Sequence, residues 1–476
     1  MRQKKALSAQ QIEQIDNQLF RLIGAVADQM GLPVYVVGGF VRDLLLGKTV
    51  KDIDFVVVGD GPKFAKAVAR ALGCKQLTVY RHFGTAMLQH QDQVLEFVGA
   101  RKESYHQESR RPQVESADLA TDLARRDFTI NALAIELNSD HFGQLIDPFD
   151  GYRDLKHKIL RTPVPPETTF FDDPLRVMRA IRFACQLHFQ IEPLTRQALA
   201  KEKHRLSIIS QERITDELVK ILQSKQPSIG LYLMDETGVL DVVLPEIAQL
   251  RGFERIGKYQ HKDVFRHTCK VVDNVARISD SLPLRFAALY HDVAKPTTKE
   301  FNPEAGWTFH GHEEIGARML DRIGKRLRIS KSIITYTKKM IRLHLRPIHL
   351  AEEGVTDSAI RRLVVQAGED LDDLLILCRA DITSENPRRV AQHLANFDYL
   401  VERIEEIAEK DRLRAFQSPV RGDEIMQLCK LSAGPQVGRL KRAIEEAILN
   451  GVIANDHDAA LAYLLRVKDE ILESTD

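Results

Sequence analysis

The 476-residue chain has five cysteines, no CxxC pair and no long apolar run. Cys74, Cys185, Cys269, Cys378 and Cys429 lie far apart, which argues against a thiolate zinc site and a disulfide framework. No uninterrupted apolar stretch approaches the roughly 20 residues of a membrane-spanning helix. The opening MRQKKALSAQQIEQID is basic and then polar, without the apolar core of a secretory signal. These absences point to a reducing cytoplasm and away from a membrane. A dominant charge is missing too: 68 Lys and Arg stand against 67 Asp and Glu, for a net charge of +1. Any surface that attracts a polyanion must therefore be local. What is present is 44% hydrophobic and 28% charged residues, an ordinary globular mixture on a chain too long for one core. Two to four domains are expected.

Periodicity divides the chain into an α+β head and a long helical remainder. The first 35 residues read as one helix, closed by Gly31 and Pro33. Residues 34–37 and 53–58 are short β-branched runs beside glycine and read as buried strands. Residues 61–73 form an amphipathic helix with Pro62 in its first turn. Strand-like pieces follow at 84–90 and 93–98, then a polar loop at 101–122, and the α/β unit closes near residue 151. From about residue 170 apolar residues recur at helical spacing. No repeat or low-complexity linker is evident.

The chemistry begins in VVGGFVRDLLLGKTVKDIDF, residues 36–55. Residues i and i+2 of a strand share a face, so Asp52 and Asp54 converge and repel unless a cation sits between them. Magnesium, which takes oxygen ligands and phosphates, fits such a pair; a solvated loop pair is the plain alternative. Gly38 and Gly39 end one strand and open a helix-like segment, where backbone N–H groups can approach a phosphate, with Arg42 facing it. In RRDFTINALA, Arg125 and Arg126 can hold phosphate, while Asp127 and Asn131 can bond ribose hydroxyls. A helix cap with solvated arginines is the alternative there. In DDPLRVMRAIRFA, Asp173 is followed by Arg176, Arg179 and Arg182, an arginine stripe opposite Leu175, Met178 and Ile181. With no acid between them, the stripe reads as a phosphate or RNA track.

These stretches, together with EFVGARKESY and ERITDELVKIL, resemble in order the motifs of the class II tRNA nucleotidyltransferase and bacterial poly(A) polymerase family. The likeness spans roughly residues 34–225 and returns in the tail. It implies a nucleotidyltransferase-like head (1–150), a helical neck (151–250), a body (251–400) and a helical tail (401–476). It also implies Mg²⁺ on Asp52 and Asp54, with Glu96 a possible third carboxylate. Gly39, Arg42 and Arg126 would contact phosphates, and Asp127 the ribose. Asp173 and Arg176 would read the base: cytosine and adenine both place an amine donor beside a ring-nitrogen acceptor, which suits a carboxylate and a guanidinium. Glu212 and Arg213 would brace the neck. The implied partners are tRNA, CTP and ATP, and the implied reaction is template-independent CCA addition. A poly(A) polymerase or a CC- or A-adding enzyme shares the same motifs.

The histidines form a second constellation. His291-Asp292 in ALYHDVAKP is accompanied by His261, His267, His310, His312, His344 and Asp381. Imidazole with carboxylate suits a divalent metal. The set resembles an HD phosphohydrolase domain, with His267, His291, Asp292 and Asp381 at its ligand positions and His312 and His344 candidates for a second metal. A phosphatase or cyclic phosphodiesterase acting on RNA 3′ ends is implied. An HD phosphodiesterase whose head merely binds RNA is the remaining alternative.

Overall fold

The computed structural model describes residues 8–48, 52–80, 84–106, 109–252, 254–256, 259–261, 263–351, 355–384, 386–415, 418–449, 452–454 and 456–473. The chain divides into two compact units, Met1–Leu345 with Glu369–Val390, and Arg346–Gly368 with Ala391–Asp476.

The first unit opens with two helices, α1 (Ala9–Ile15) and α2 (Gln18–Met30), where apolar spacing predicts one. The chain breaks at Asp16 and Asn17 because the Asn17 side chain accepts from Phe20 N and starts a fresh helix. Gly31, at φ +62°, ends α2. Next come β1 (Val34–Val37), α3 (Gly39–Leu45), β2 (Asp52–Val57), α4 (Gly61–Ala71), β3 (Leu77–Tyr80), β4 (Thr85–His90) and β5 (Gln93–Gly99). They are followed by β6 (Arg101–His106), β7 (Ser109–Ser116), α5 (Leu119–Ala124), β8 (Ala134–Glu136) and β9 (Leu145–Ile146).

Seven strands make one sheet in the order β3-β4-β5-β2-β1-β8-β9. Only the β2–β5 pair is parallel; the other neighbours are antiparallel. Period two sorts β2 cleanly. Ile53, Phe55 and Val57 enter a core shared with Phe20 of α2 and Phe64 of α4, where Phe55 stacks on Phe97 at 4.7 Å. Asp52 and Asp54 are left on the opposite face.

In the stretch 101–122, expected as a loop, Arg101–His106 and Ser109–Ser116 are instead the paired strands β6 and β7, followed by α5. Arg101 pairs with Ser116 and Lys102 with Glu115, and Asp118 caps α5 through Thr121 N. A ribbon held by backbone bonds needs no apolar alternation, so the pattern gave no strand signal.

The remainder of this unit is almost wholly helical, as the periodicity predicts: α6 (Gly151–His157), α7 (Pro166–Asp172), α8 (Leu175–Leu187), α9 (Pro193–Glu202), α10 (Gln211–Leu222) and α11 (Pro227–Glu236). Leu175, Met178 and Ile181 of α8 are buried, and α8 packs on α10 and α11. Beyond them, helices Val264–Ile278, Leu282–Tyr290, His312–Arg326, Lys331–Leu343 and Leu371–Asp381 surround the histidines. The second unit is helical, with a core of Val420, Ile425, Leu440, Ile444 and Leu464. Among the described residues no helix is long and apolar enough to cross a membrane.

Candidate active site and candidate metal centre

Asp54 lies in the middle of the sheet, paired with Val37 on one side and with Glu96 on the other. Parallel register places Asp54 and Glu96 side by side on one face, two residues from Asp52. Burial pushes the Asp54 carboxyl above its ordinary value and Asp52 adds to this, while Arg126 opposes it. Burial and the neighbouring Asp54 raise Glu96 in the same way, against Arg101. Carboxylates so placed are relieved by a cation between them, and an all-oxygen set suits a hard ion such as Mg²⁺.

The glycine turn serves the same place. Gly38 has φ +73°, and a Cβ there would stand 2.9 Å from Arg126 Nη1 and 3.5 Å from Asp54 Oδ2. Only a residue without a side chain lets the backbone and Arg126 approach Asp54 together. Arg126 Nη2 and Arg125 Nη2 both bond Asp122, at 3.2 and 2.7 Å. Arg42, expected to face phosphate, bonds Asp43 at 2.6 and 2.9 Å and Asn131 Oδ1 at 2.8 Å.

Asp127 is the hub of the next layer. Its Oδ1 accepts from Phe128 N and Asn131 Nδ2, and its Oδ2 from Arg179 Nε and Nη2 at 2.8 and 2.6 Å. Burial favours the neutral acid, but Arg179 and Asn131 outweigh it and hold the carboxyl well below its ordinary value. The line Arg42–Asn131–Asp127–Arg179 is thus one connected chain of hydrogen bonds.

The arginine stripe differs from the open track that its spacing predicts. Arg176 is buried and donates to the carbonyls of Thr169 (3.2 Å) and Arg125 (2.6 Å). Arg179 is paired with Asp127, and Arg182 Nε lies 2.7 Å from Glu217 Oε2 of α10. The neutralising acids come from other elements, which local spacing cannot show. Asp173 accepts from Leu175 N at 3.1 Å and stands 3.4 Å from Arg213, while Glu212 lies 3.6 Å from Arg328. Phe183 centres the group, with the guanidiniums of Arg42, Arg179 and Arg182 at 5.0, 5.3 and 4.1 Å from its ring.

Gly38, Gly39, Arg42, Asp52, Asp54, Arg126, Asp127, Asn131, Asp173, Arg176, Arg179 and Arg182 all line one cleft of about 950 Å³, with Glu96 and Arg125. Four residues important to its geometry escaped the sequence reading: Asp122, Phe183, Glu217 and Lys220. Asp122, three and four residues before the arginines, carried a signal in its i+3 and i+4 spacing.

The histidines also come together. Nδ1 of His291, His312 and His344 sits 2.9, 2.8 and 2.6 Å from the carbonyls of Ala288, Phe309 and Ile341. Each ring thereby donates outward and turns Nε2 inward. His267, His291 and Asp381 form one group of potential ligand atoms within 4.8 Å of one another, and Asp292, His312 and His344 form a second. Asp292 joins them: Oδ2 is 3.2 Å from His291 Nε2, and Oδ1 is 3.4 Å from His312 Nε2 and 3.9 Å from His344 Nε2. Asp292 Oδ1, His312 Nε2 and His344 Nε2 are buried without a hydrogen-bond partner. Three buried acceptors facing one another fit a cation. Lys295 Nζ, 2.6 Å from Asp292 Oδ2, supplies one positive charge. His310 is exposed and outside both groups, and the side chain of His261 lies outside the described part of the chain.

Comparison with known proteins decides the family. Residues 34–161 match the poly A polymerase head domain, 188–250 the probable RNA and SrmB-binding site of polymerase A, and 264–386 the HD domain. The A-adding tRNA nucleotidyltransferase of Deinococcus radiodurans is 33% identical over 362 residues, 74% of this chain and 80% of that one. The CC-adding tRNA nucleotidyltransferase of Thermus thermophilus is 32% identical over 441 residues, 90% of this chain and 93% of that one. The chain belongs to the class II CCA-adding enzyme and poly(A) polymerase family.

As a member of that family it is a tRNA nucleotidyltransferase. The multifunctional CCA protein of Vibrio cholerae is 34% identical over 361 residues, 74% of this chain and 86% of that one. The CCA-adding enzyme of Thermotoga maritima, solved with tRNA, is 25% identical with a TM-score of 0.60, covering 97% of this chain and 98% of that one. A tRNA nucleotidyltransferase solved with a primer tRNA and an ATP analogue is 27% identical with a TM-score of 0.57, covering 80% and 98%.

Proposed function

We propose that this nucleotidyltransferase builds the complete CCA end on tRNA from CTP and ATP without a template. The observation that supports it is the cleft itself, where carboxylates, arginines and the Asp173–Arg176 segment line one continuous surface. Asp52 and Asp54 would hold Mg²⁺, with Glu96 beside them. Bound there, such a cation would supply charge to lower the pKa of the RNA 3′-hydroxyl and to neutralise the triphosphate. Arg126, held over the glycine turn, meets the phosphates, and Asp127 and Asn131 face the ribose. Asp173 accepts from the amine of C or A, and Arg176 donates to the adjacent ring nitrogen; U and G place a carbonyl where the amine is needed. Residues 1–150 serve as catalytic head, 151–250 as base-reading neck, 251–400 as HD body and 401–476 as tail.

The relatives are named for CCA, CC and A addition at nearly the same identity, so the product itself is the test. The protein is incubated with tRNA lacking its 3′ end and with CTP and ATP, separately and together, and the products are sequenced. A defined CCA end supports the proposal, whereas a CC end, a lone A or a long A-tail overturns it in favour of the matching activity. Incorporation that survived Asp52→Ala would defeat the transferase assignment of this cleft.

The buried, unpartnered acceptors favour a second activity in the same chain. His267, His291, Asp292 and Asp381 would hold a divalent metal, and Asp292, His312 and His344 a second. Such ions supply Lewis-acid activation of a phosphate ester when bound. We assign this centre a phosphohydrolase role on terminal phosphates of RNA. Metal content by mass spectrometry and hydrolysis of a 2′,3′-cyclic phosphate test it, and a protein that takes up no metal overturns it.

A further inference from the structure

Asp122 has no part in the chemistry described so far, yet it is fully buried in the first turn of α5. Its Oδ1 accepts from Arg125 Nε and Nη2 at 3.0 and 2.7 Å, and its Oδ2 from Arg126 Nη2 at 3.2 Å. One carboxylate thus gives one oxygen to each of two adjacent guanidiniums and sets the spacing between them. Both arginines line the cleft. Arg126 continues to the glycine turn and Asp54, and the carbonyl of Arg125 accepts from Arg176 Nη2 at 2.6 Å.

A buried carboxylate is strongly destabilising unless it is fully paired, so a site that needed only packing would favour an apolar residue. Arginine also carries large rotamer entropy, which a ligand must otherwise overcome when it immobilises the side chain. Fixing two forks beforehand removes that loss. We propose that Asp122 is a positioning residue for the nucleotide triphosphate, holding Arg125 and Arg126 as a preformed two-cation clamp. It touches no substrate; it acts through the arginines. The proposal rests on the reading of this cleft as the nucleotide site.

The consequence is selective. A clamp aimed at the outer phosphates distinguishes CTP from CMP, whereas a residue that merely supports the fold affects both alike. Asp122→Asn keeps the shape but removes the charge and turns one acceptor into a donor facing a guanidinium. In the full-length protein with Mg²⁺, binding of CTP and ATP is expected to weaken roughly 10- to 100-fold, the effect of losing charge-assisted hydrogen bonds. CMP and AMP are expected to change less than about threefold. KM for both triphosphates rises by the same factor, with kcat falling much less.

Arg125→Lys with Arg126→Lys is the companion variant, because it keeps Asp122 paired and loses only the fork geometry. It should show the same selective loss and keeps the test decisive if Asp122→Asn does not fold. Equal weakening of CTP and CMP in a folded variant, or unchanged CTP binding in either one, overturns the clamp. Failure of the unmodified protein to bind CTP or ATP instead overturns the nucleotide-site reading beneath it.

Discussion

Asp127 concentrates the cost and the use of buried charge in this cleft. Its two oxygens take four donors, two of them from Arg179. Asp127→Ala leaves Arg179 facing an empty place, and a loss of about 2 kcal/mol in urea unfolding at pH 7 is expected. The folded carboxyl lies below its ordinary value of 3.8. Its contribution is therefore fully present above that value and is lost as pH falls below it. Unfolding at pH 7, 5 and 3 should show an equal gap between variant and parent at pH 7 and 5 that only begins to narrow at pH 3, because the folded carboxyl stays ionised well below its ordinary value. Gly38 is a second sensitive point, because its φ is positive and a Cβ would press on Arg126 Nη1. Gly38→Ala should lower kcat/KM for incorporation at least tenfold, about 1.4 kcal/mol, with less effect on melting temperature. That Asp52, Asp54, Asp127 and the arginines belong to one place was legible because carboxylates and guanidiniums recur there at strand and helix spacing, and they do line one cleft. The partners of the arginines were not, since Asp127 and Glu217 lie 52 and 35 positions from Arg179 and Arg182.

At the scale of elements, the helix ends carry interactions that periodicity does not reveal. Arg285 is almost completely buried within the apolar helix Leu282–Tyr290. It donates to Leu222 O and Ser224 O at the end of α10, and to Ser279 O at the end of helix Val264–Ile278. One guanidinium thus closes two helix C-termini, whose carbonyls otherwise lack donors. Arg285→Met should destabilise the protein by about 3 kcal/mol or more, read as a lower thermal midpoint, because it leaves several buried acceptors unpaired. The β6–β7 ribbon was missed for the opposite reason. Its sequence has no alternating apolar residues, so the period-two signal of a strand is absent although the backbones pair. The break between α1 and α2 was missed because a single asparagine cap overrides a continuous apolar stripe.

At the scale of the whole molecule, the cleft lined by Asp52 and Asp54 and the histidine centre share no residue. His291→Ala should lower metal content by the ion held with His267, Asp292 and Asp381 and abolish phosphate-ester hydrolysis, while tRNA incorporation stays within about twofold, a change under 0.5 kcal/mol. A parallel fall in incorporation would show that the centres depend on one another. By itself the sequence determined the order of head and helical segments, the strand that carries Asp52 and Asp54, and which carboxylates, arginines and histidines to look for together. It could do so because strand and helix periods are local, and because carboxylate, guanidinium and imidazole have few uses when clustered. Only the tertiary structure decided which charges neutralise one another. It turned the arginine stripe into three separately paired guanidiniums and joined the two histidine groups through Asp292. Those outcomes depend on side chains brought together by packing, and the energy of a charge depends on its neighbours in space rather than along the chain.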